Sequence, residues 1–574
     1  MTRVTHVLGL LLLISVGCAK GDARSSSSGS NARWAPEKLK SVDGVPIADI
    51  ETAIKRRLGA ARPAHIDNDQ WGHVRRIYRI YSGSPLWLTS RGLHPKRTKT
   101  LTNALLNAEN DGMRMDVYPI GELANAIATV KEGDKPTAEE LAQADVILTS
   151  AYAALGEDLL TGQLDPRSFS QSWYIDPEED NVDSALVRTL RFDALDKGIA
   201  TMRPQDDDYA GLMKALAVLR EVVVGGGWGR VPAGKSLKIG DTDKPARIAA
   251  LRNRLTAEGF PPAEVATDTT TRAKTRTHAA RSGAVFNRGL AAALAEFQEH
   301  HGIVVDSALG TETLDALNVG ADYRLAQVAA NLERYRWLPR LLGNRYIFVN
   351  VPAFRLEVVE NGQKALEMKV IVGEEYEGRR TPVFSDMMEY IIFRPYWNVP
   401  PKIAANEIFP KMSSGYLAAN HYELYTENGE TRVRQRPGDK NALGLVKFLF
   451  PNDFNIYLHD TPFDELFEKD VRAFSHGCIR LEKPVQLASL LLGWDISKVE
   501  NEMHNGPDDH RVNLPRRIPV YIAYFTAYLR DGKLYFGNDL YNRDDRLAQE
   551  VYKGAMPSPE TVQAVQALRK IAAD

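Results

Sequence analysis

Cysteine is almost absent: the 574 residues contain two, Cys18 and Cys478. Two thiols exclude a disulfide-stapled scaffold and a multi-cysteine zinc or iron–sulfur site. An excess of one charge sign is missing as well. The 72 basic and 74 acidic residues leave a net charge of -2, so the chain has no electrostatic footprint for nucleic acid. Long apolar runs are also lacking. Val7 to Val16 (VLGLLLLISV) is an apolar run interrupted only by Ser15, and it is too short to cross a hydrocarbon core of ~30 Å at ~1.5 Å per residue. What is present is an ordinary folding composition, 44% hydrophobic and 25% charged. The length predicts about three or four domains.

The apolar run follows Arg3 and precedes Gly17-Cys18, which reads as the h-region of an export signal. A cysteine after a small residue at that point resembles the bacterial lipoprotein signal, although Ser15 departs from its usual leucine. The resemblance implies that residues 1–18 are a signal segment, that Cys18 is lipidated, and that the protein is periplasmic, anchored by lipid to the outer membrane. Residues 19–40, with GDARSSSSGSN, read as a flexible tether. The lipid is then the sole membrane contact, and Cys478 is left without an intrachain thiol partner. A lone cysteine in an exported body is either an inert core residue or a reactive thiol.

Along the chain, residues 41–244 have helical periodicity, with Ala144 to Leu160 (ADVILTSAYAALGEDLL) the clearest helix and Tyr81 to Trp87 a loop leading into a buried aromatic. Residues 245–320 contain three short amphipathic segments and a polar Thr/Arg-rich loop at Thr267 to Arg281. Tyr323 to Pro339 reads as a helix rich in Arg and aromatics. The texture then becomes β-branched. Strand-like stretches are Arg345 to Glu360, Ala365 to Val372 after the Asn361-Gly362 turn, Tyr390 to Phe393 and Asn455 to His459. Residues 402–441 look less regular and suit a lid. Residues 516–574 read as a hairpin, 519–530 with 533–536, and a final helix from Pro559 to Ala573. The fold class expected is α+β multidomain.

Cys478 sits in Arg472 to Leu481 (RAFSHGCIRL), 19 residues after His459. A thiol attacks as thiolate and needs a base or cation to form one near neutral pH. His459, at a strand end before Thr461-Pro462, is the candidate base. His476 would share the face of Cys478 if the segment is extended. The N–H groups of Gly477 and Cys478 suit a developing oxyanion. Arg480 favours thiolate or pairs with a substrate carboxylate. A zinc site of Cys478, His459 and His476 has no supporting C-x-x-C or H-E-x-x-H spacing. The order His before Cys is the reverse of papain-like enzymes.

The S-H-G-C-I-R motif with its upstream histidine resembles the signature of L,D-transpeptidases of the YkuD type. Asn331 to Pro339 (NLERYRWLP), Asn350 to Leu356 (NVPAFRL), Thr381 to Ser385 (TPVFS), Pro395 to Pro401 (PYWNVPP) and Asn441 to Pro451 (NALGLVKFLFP) resemble the large YcbB-like members. Phe297 to Gly302 (FQEHHG) and the turns through Asn318 resemble the peptidoglycan-binding module of wall enzymes. The resemblance implies a helical scaffold domain, a small three-helix binding module and a mostly β catalytic domain over residues 321–515. It implies Cys478 as nucleophile and His459 as base, with His476, Gly477 and Arg480 completing the motif. Tyr457, Ser475, Trp397 and Asn398 fall at substrate-side positions. The activity implied is peptidoglycan crosslinking: acylation by a tetrapeptide stem, loss of D-Ala, and a 3–3 bond to a second stem. Peptidoglycan peptides and glycan are the implied partners, carbapenems the implied inhibitors, and no metal or organic cofactor is required. The same site would serve L,D-carboxypeptidase action, D-amino acid exchange or protein attachment. A non-catalytic wall-binding lipoprotein is the reading from another class.

Overall fold

The computed structural model describes residues 33–573, except 65, 133–134, 176–181, 264–284, 377 and 556–558. Cys18 and the Thr/Arg-rich loop lie outside the described residues. Among those described, no helix is long and apolar enough to cross a membrane.

The helical half is built around α1 (Ala138–Thr161), opened by a capping box between Thr137 and Glu140. It is apolar on nearly all sides, as a central helix must be. Of its two buried carboxylates, Asp145 and Asp158, Asp145 is fully satisfied. It accepts from the Leu86 and Trp87 amides at 2.9 and 2.7 Å and from the Tyr78 hydroxyl. Those bonds pin the loop that delivers Trp87, which is 0% exposed. The helix α2 (Asp207–Val224) packs this half against the β domain.

The next unit contains α3 (Pro245–Ala257), α4 (Arg288–His300) and α5 (Thr311–Leu317). Val231 and Leu237, upstream of residue 245, share its core with Leu251, Leu294 and Phe297. His300 stacks on Tyr535 at 4.1 Å and His301 bonds Glu258 at 3.0 Å. The resemblance-bearing histidines of this unit therefore face inward, to its own core and to the hairpin of residues 527–536.

Helix α6 (Ala321–Arg336) leads into the β domain and is buried along almost its whole length. The strands follow as β1 (Arg345–Asn350), β2 (Arg355–Glu360), β3 (Gln363–Gly373), β4 (Phe384–Phe393), β5 (Trp397–Asn398), β6 (Tyr422–Glu427) and β7 (Glu430–Gln435). They continue as β8 (Val446–Leu449), β9 (Leu458–His459), β10 (Ala473–Ser475), β11 (Ile479–Leu481) and β12 (His510–Ala523). The stretch read as one strand from Arg345 to Glu360 is two, because the chain turns at Pro352 and Phe354 takes a left-handed φ of 52°. Nine strands form one sheet in the order β10-β3-β11-β9-β8-β4-β12-β1-β2, and β3 also pairs with β2, which closes the ring.

The division expected at residue 516 falls inside β12, which pairs with both β4 and β1. The hairpin is 527–530 with 533–536, because residues 519–523 are committed to the main sheet. The last helix, α7 (Pro559–Ala573), returns to the helical half, where Leu568 is 0% exposed in its core.

The segment read as irregular is a folded subdomain. Strands β6, β7 and β5 form their own sheet, and Val399, Ala404, Ile408 and Val433 form its core. Asn428-Gly429 turns the hairpin with φ of 53° and 81°. Positive φ at both positions is the reason Asn-Gly suits this turn.

Candidate active site

Three short strands build the site by alternation. Val446 and Phe448 of β8, Leu458 of β9, and Ile479 and Leu481 of β11 point into the ring and are fully buried. Successive side chains of a strand point to opposite faces. The other face therefore carries Lys447, His459 and Arg480, which are direct register partners across β8, β9 and β11. The row before it holds Tyr457 and Cys478, linked by the Ile479 amide donating to the Tyr457 carbonyl at 3.1 Å. Two residues called 19 apart by the sequence thus become neighbours on one outward face.

Cys478 is half-buried and free. Burial pushes its thiol up to about 11, against the opposing pull of hydrogen bonds from Tyr457 and the charges of Lys447 and Arg480. Its Sγ lies 3.7 Å from the Asn455 carbonyl. The Tyr457 hydroxyl faces the Cys478 thiol and favours its thiolate. Burial, with the guanidinium of Arg480 and the ammonium of Lys447, lowers His459 to about 3. Its Nδ1 lies 2.6 Å from the Asp460 carbonyl. That acceptor places the ring proton on Nδ1 and leaves Nε2 as a base. The resting pair is a neutral thiol and a neutral imidazole.

This sets an expected pH dependence. A thiol whose folded pKa is raised is protonated throughout the neutral range. Alkylation of Cys478 by iodoacetamide should climb about tenfold per pH unit between pH 6 and 9. Intact-mass kinetics would check it, and a flat rate across that range would indicate a preformed ion pair instead.

The turn carrying Cys478 is not extended. Gly477 has φ of 119°, and a Cβ there would meet Ile456 Cδ1 at 3.2 Å and sit near the Arg379 carbonyl. This break directs His476 away from the face of Cys478, contrary to expectation. Its Nε2 meets Glu407 Oε1 at 2.8 Å, and Glu407 also pairs with Arg379 at 3.2 Å. Glu407 belongs to the subdomain of residues 402–441, so His476 joins that subdomain to the turn of Cys478. The Gly477 amide donates to Ser475 Oγ at 3.1 Å and is therefore committed, which removes it as an oxyanion donor in this arrangement. Ser475 is 2% exposed and donates to the Cys478 carbonyl; it shapes the turn and does not face a substrate.

Trp397 and Asn398 lie in β5, opposite Gln435 and Arg434. Trp397 packs on the lid core and Asn398 is exposed. Sequence reasoning passed over two residues. Thr381 accepts from the Gly373 amide at 2.9 Å and donates to the Gly477 carbonyl at 2.8 Å, fixing the turn. Lys447 lies beside His459. The signal for Lys447 was the alternation Val446-Lys447-Phe448, one lysine between two core positions.

Comparison with known proteins agrees with this geometry. Residues 344–522 match the family model for YkuD, the L,D-transpeptidase catalytic domain, and residues 72–216 match the model for a Scaffold domain. A Haemophilus influenzae protein described as "Putative L,D-transpeptidase" is 33% identical over 243 residues, 38% of this chain and 48% of that protein. The chain thus spans about half the length of that curated relative. Among solved structures, the L,D-transpeptidase of Xylanimonas cellulosilytica is 14% identical, with a TM-score of 0.15, covering 51% of this chain and 99% of that one. The Ldtfm–avibactam carbamoyl enzyme is also 14% identical, with a TM-score of 0.15, covering 32% and 51%. No residue role follows from either structure.

Proposed function

We propose, from the premise that residues 344–522 are an L,D-transpeptidase catalytic domain, that this chain crosslinks peptidoglycan through an acyl-enzyme on Cys478. The observation that carries the reading is the shared outward face of Tyr457, Cys478, His459 and Arg480. Cys478 Sγ attacks the carbonyl of the L,D bond before the terminal D-Ala of a tetrapeptide stem, and its proton passes to His459 Nε2. The C–N bond breaks, the imidazolium returns that proton to the D-Ala amine, and a thioester remains. The side-chain amine of diaminopimelate on a second stem attacks the thioester. His459 takes a proton from the attacking amine, and the C–S bond breaks as the imidazolium returns that proton to Sγ, giving a 3–3 crosslink and the free Cys478 thiol. A lid held by Glu407 over the catalytic turn limits water and favours the amine as acceptor. Carbapenems, which present a strained acyl group, acylate the same sulfur.

The reading includes export. Cys18 carries a lipid that holds the protein at the outer membrane, facing the wall. Muropeptide mass spectrometry tests the activity in a strain lacking its own L,D-transpeptidases. Wild type should yield 3–3 dimers and Cys478→Ala none. Absence of dimers with wild type would sink the crosslinking claim, and dimers with Cys478→Ala would sink the nucleophile.

A further inference from the structure

We infer that Lys447 is the substrate-binding group that receives the terminal carboxylate of the departing D-Ala, an assignment that rests on the function proposed above. Lys447 is half-buried on the same outward face as His459, directly across from it in the β8–β9 register. Its Nζ lies 5.6 Å from the centre of the Tyr457 ring. Among the described residues, no carboxylate stands within ion-pair distance of it. Asp509, on the strand-end side, and Cys478 act on it only through their fields. A desolvated ammonium without a counter-ion is costly to maintain. It becomes favourable when an anion arrives.

The chemistry places that anion. The reacting carbonyl carbon must touch Cys478 Sγ, and the leaving nitrogen must come within about 3 Å of His459 to collect its proton. In the departing D-Ala the carboxylate carbon is two bonds from that nitrogen, about 2.5 Å. It therefore stays close to His459, whose register partner on β8 is Lys447. The strand order β11-β9-β8 sets Arg480, His459 and Lys447 side by side at strand spacings of about 4.8 Å, with Cys478 just before β11, on the side of His459 opposite β8. Arg480 is the other cation, but it lies on β11 two residues after Cys478 and donates through Nη2 to the Phe474 carbonyl at 3.3 Å. It stands on the acyl side of the bond, and Lys447 on the leaving side.

The assignment separates binding of one charge from general support of the site. The donor is a synthetic tetrapeptide stem ending in D-Ala, compared with the same peptide ending in D-alaninamide. Release of D-Ala or D-alaninamide is followed by mass spectrometry. Wild type should prefer the acid by about 10–100-fold in kcat/KM, the range of one charge-assisted hydrogen bond. Lys447→Met should reduce that preference to about threefold or less, mainly by losing the acid, and Lys447→Arg should restore most of it. Iodoacetamide, which has no carboxylate, verifies that Cys478 still reacts in each variant. If Lys447→Met loses both peptides equally and keeps the preference, the assignment is overturned; so too if wild type shows no preference. A wild type inactive on both peptides would overturn the functional reading and this assignment with it.

Discussion

Replacing His459 with glutamine is expected to slow acylation of Cys478 by a carbapenem about 10²–10⁴-fold at pH 7, the usual weight of a positioned general base. The argument comes from the two opposed shifts in the site. Burial holds the thiol up to about 11 and the imidazole down to about 3. With the pair so far apart, a free thiolate–imidazolium couple is not the resting state, and the proton leaves as the C–S bond forms. Glutamine keeps the approximate volume but takes no proton. The residual rate should then follow the small thiolate fraction and rise about tenfold per pH unit through pH 9. Wild type should be flatter over the same range, because its base is already deprotonated well below neutrality. Acylation rates from intact mass would decide it. A glutamine variant within a few-fold of wild type at pH 7 would mean that some other group takes the proton.

The second large effect concerns the joint between α6 and the chain after β12. Arg334 Nη1 meets Asp544 Oδ1 at 2.6 Å, and its Nη2 donates to the Arg543 carbonyl at 3.0 Å. Asp544 is 0% exposed and also accepts from Thr526 Oγ1 at 2.6 Å. Removing one partner strands the other charge, which costs about 3–5 kcal/mol. Arg334→Met should therefore lower the melting transition of the β domain sharply. The double variant Arg334→Met/Asp544→Leu should recover most of the loss, because no charge is then left buried. Calorimetry on all three proteins measures this. An additive double variant, worse than either single, would show that packing and not the stranded charge sets the cost.

How much of this was legible depended on whether a residue's neighbours were sequential or spatial. The helices of the first half were legible by their period, as with Ala144 to Leu160, although that helix starts earlier, at Ala138, behind the Thr137–Glu140 capping box. Cys478 and His459 were legible because their flanking residues are chemically unusual. Four things were hidden. The run from Arg345 to Glu360 is uniformly strand-like, and only the turn at Pro352 divides it. The Asn428-Gly429 hairpin was an open signal, lost among the charged residues of the lid. His476 depended on one dihedral: with Gly477 extended it would stand beside Cys478, and with φ of 119° it turns to Glu407. The alternation around Lys447 marks only its face, and its place beside His459 needed the β8–β9 register, since a lone lysine in a strand usually marks a solvated face. Arg334 and Arg336 carried the opposite lesson. Arginines in a helix suggest an exposed surface, yet both are at most 2% exposed, held by partners far away in sequence.

The return of α7 to the helical half bears on how the protein can be taken apart. The helix lies against residues 95–106 and 120–132, and Leu568 fills their shared core. The catalytic ring is thus spliced between two stretches that complete a single hydrophobic unit. No one cut separates the halves: a fragment ending after the ring leaves a hole in the first half, and a fragment starting at the ring carries an orphaned apolar helix. Dissection would have to join the end of the first half directly to the last helix and express the ring as an independent piece.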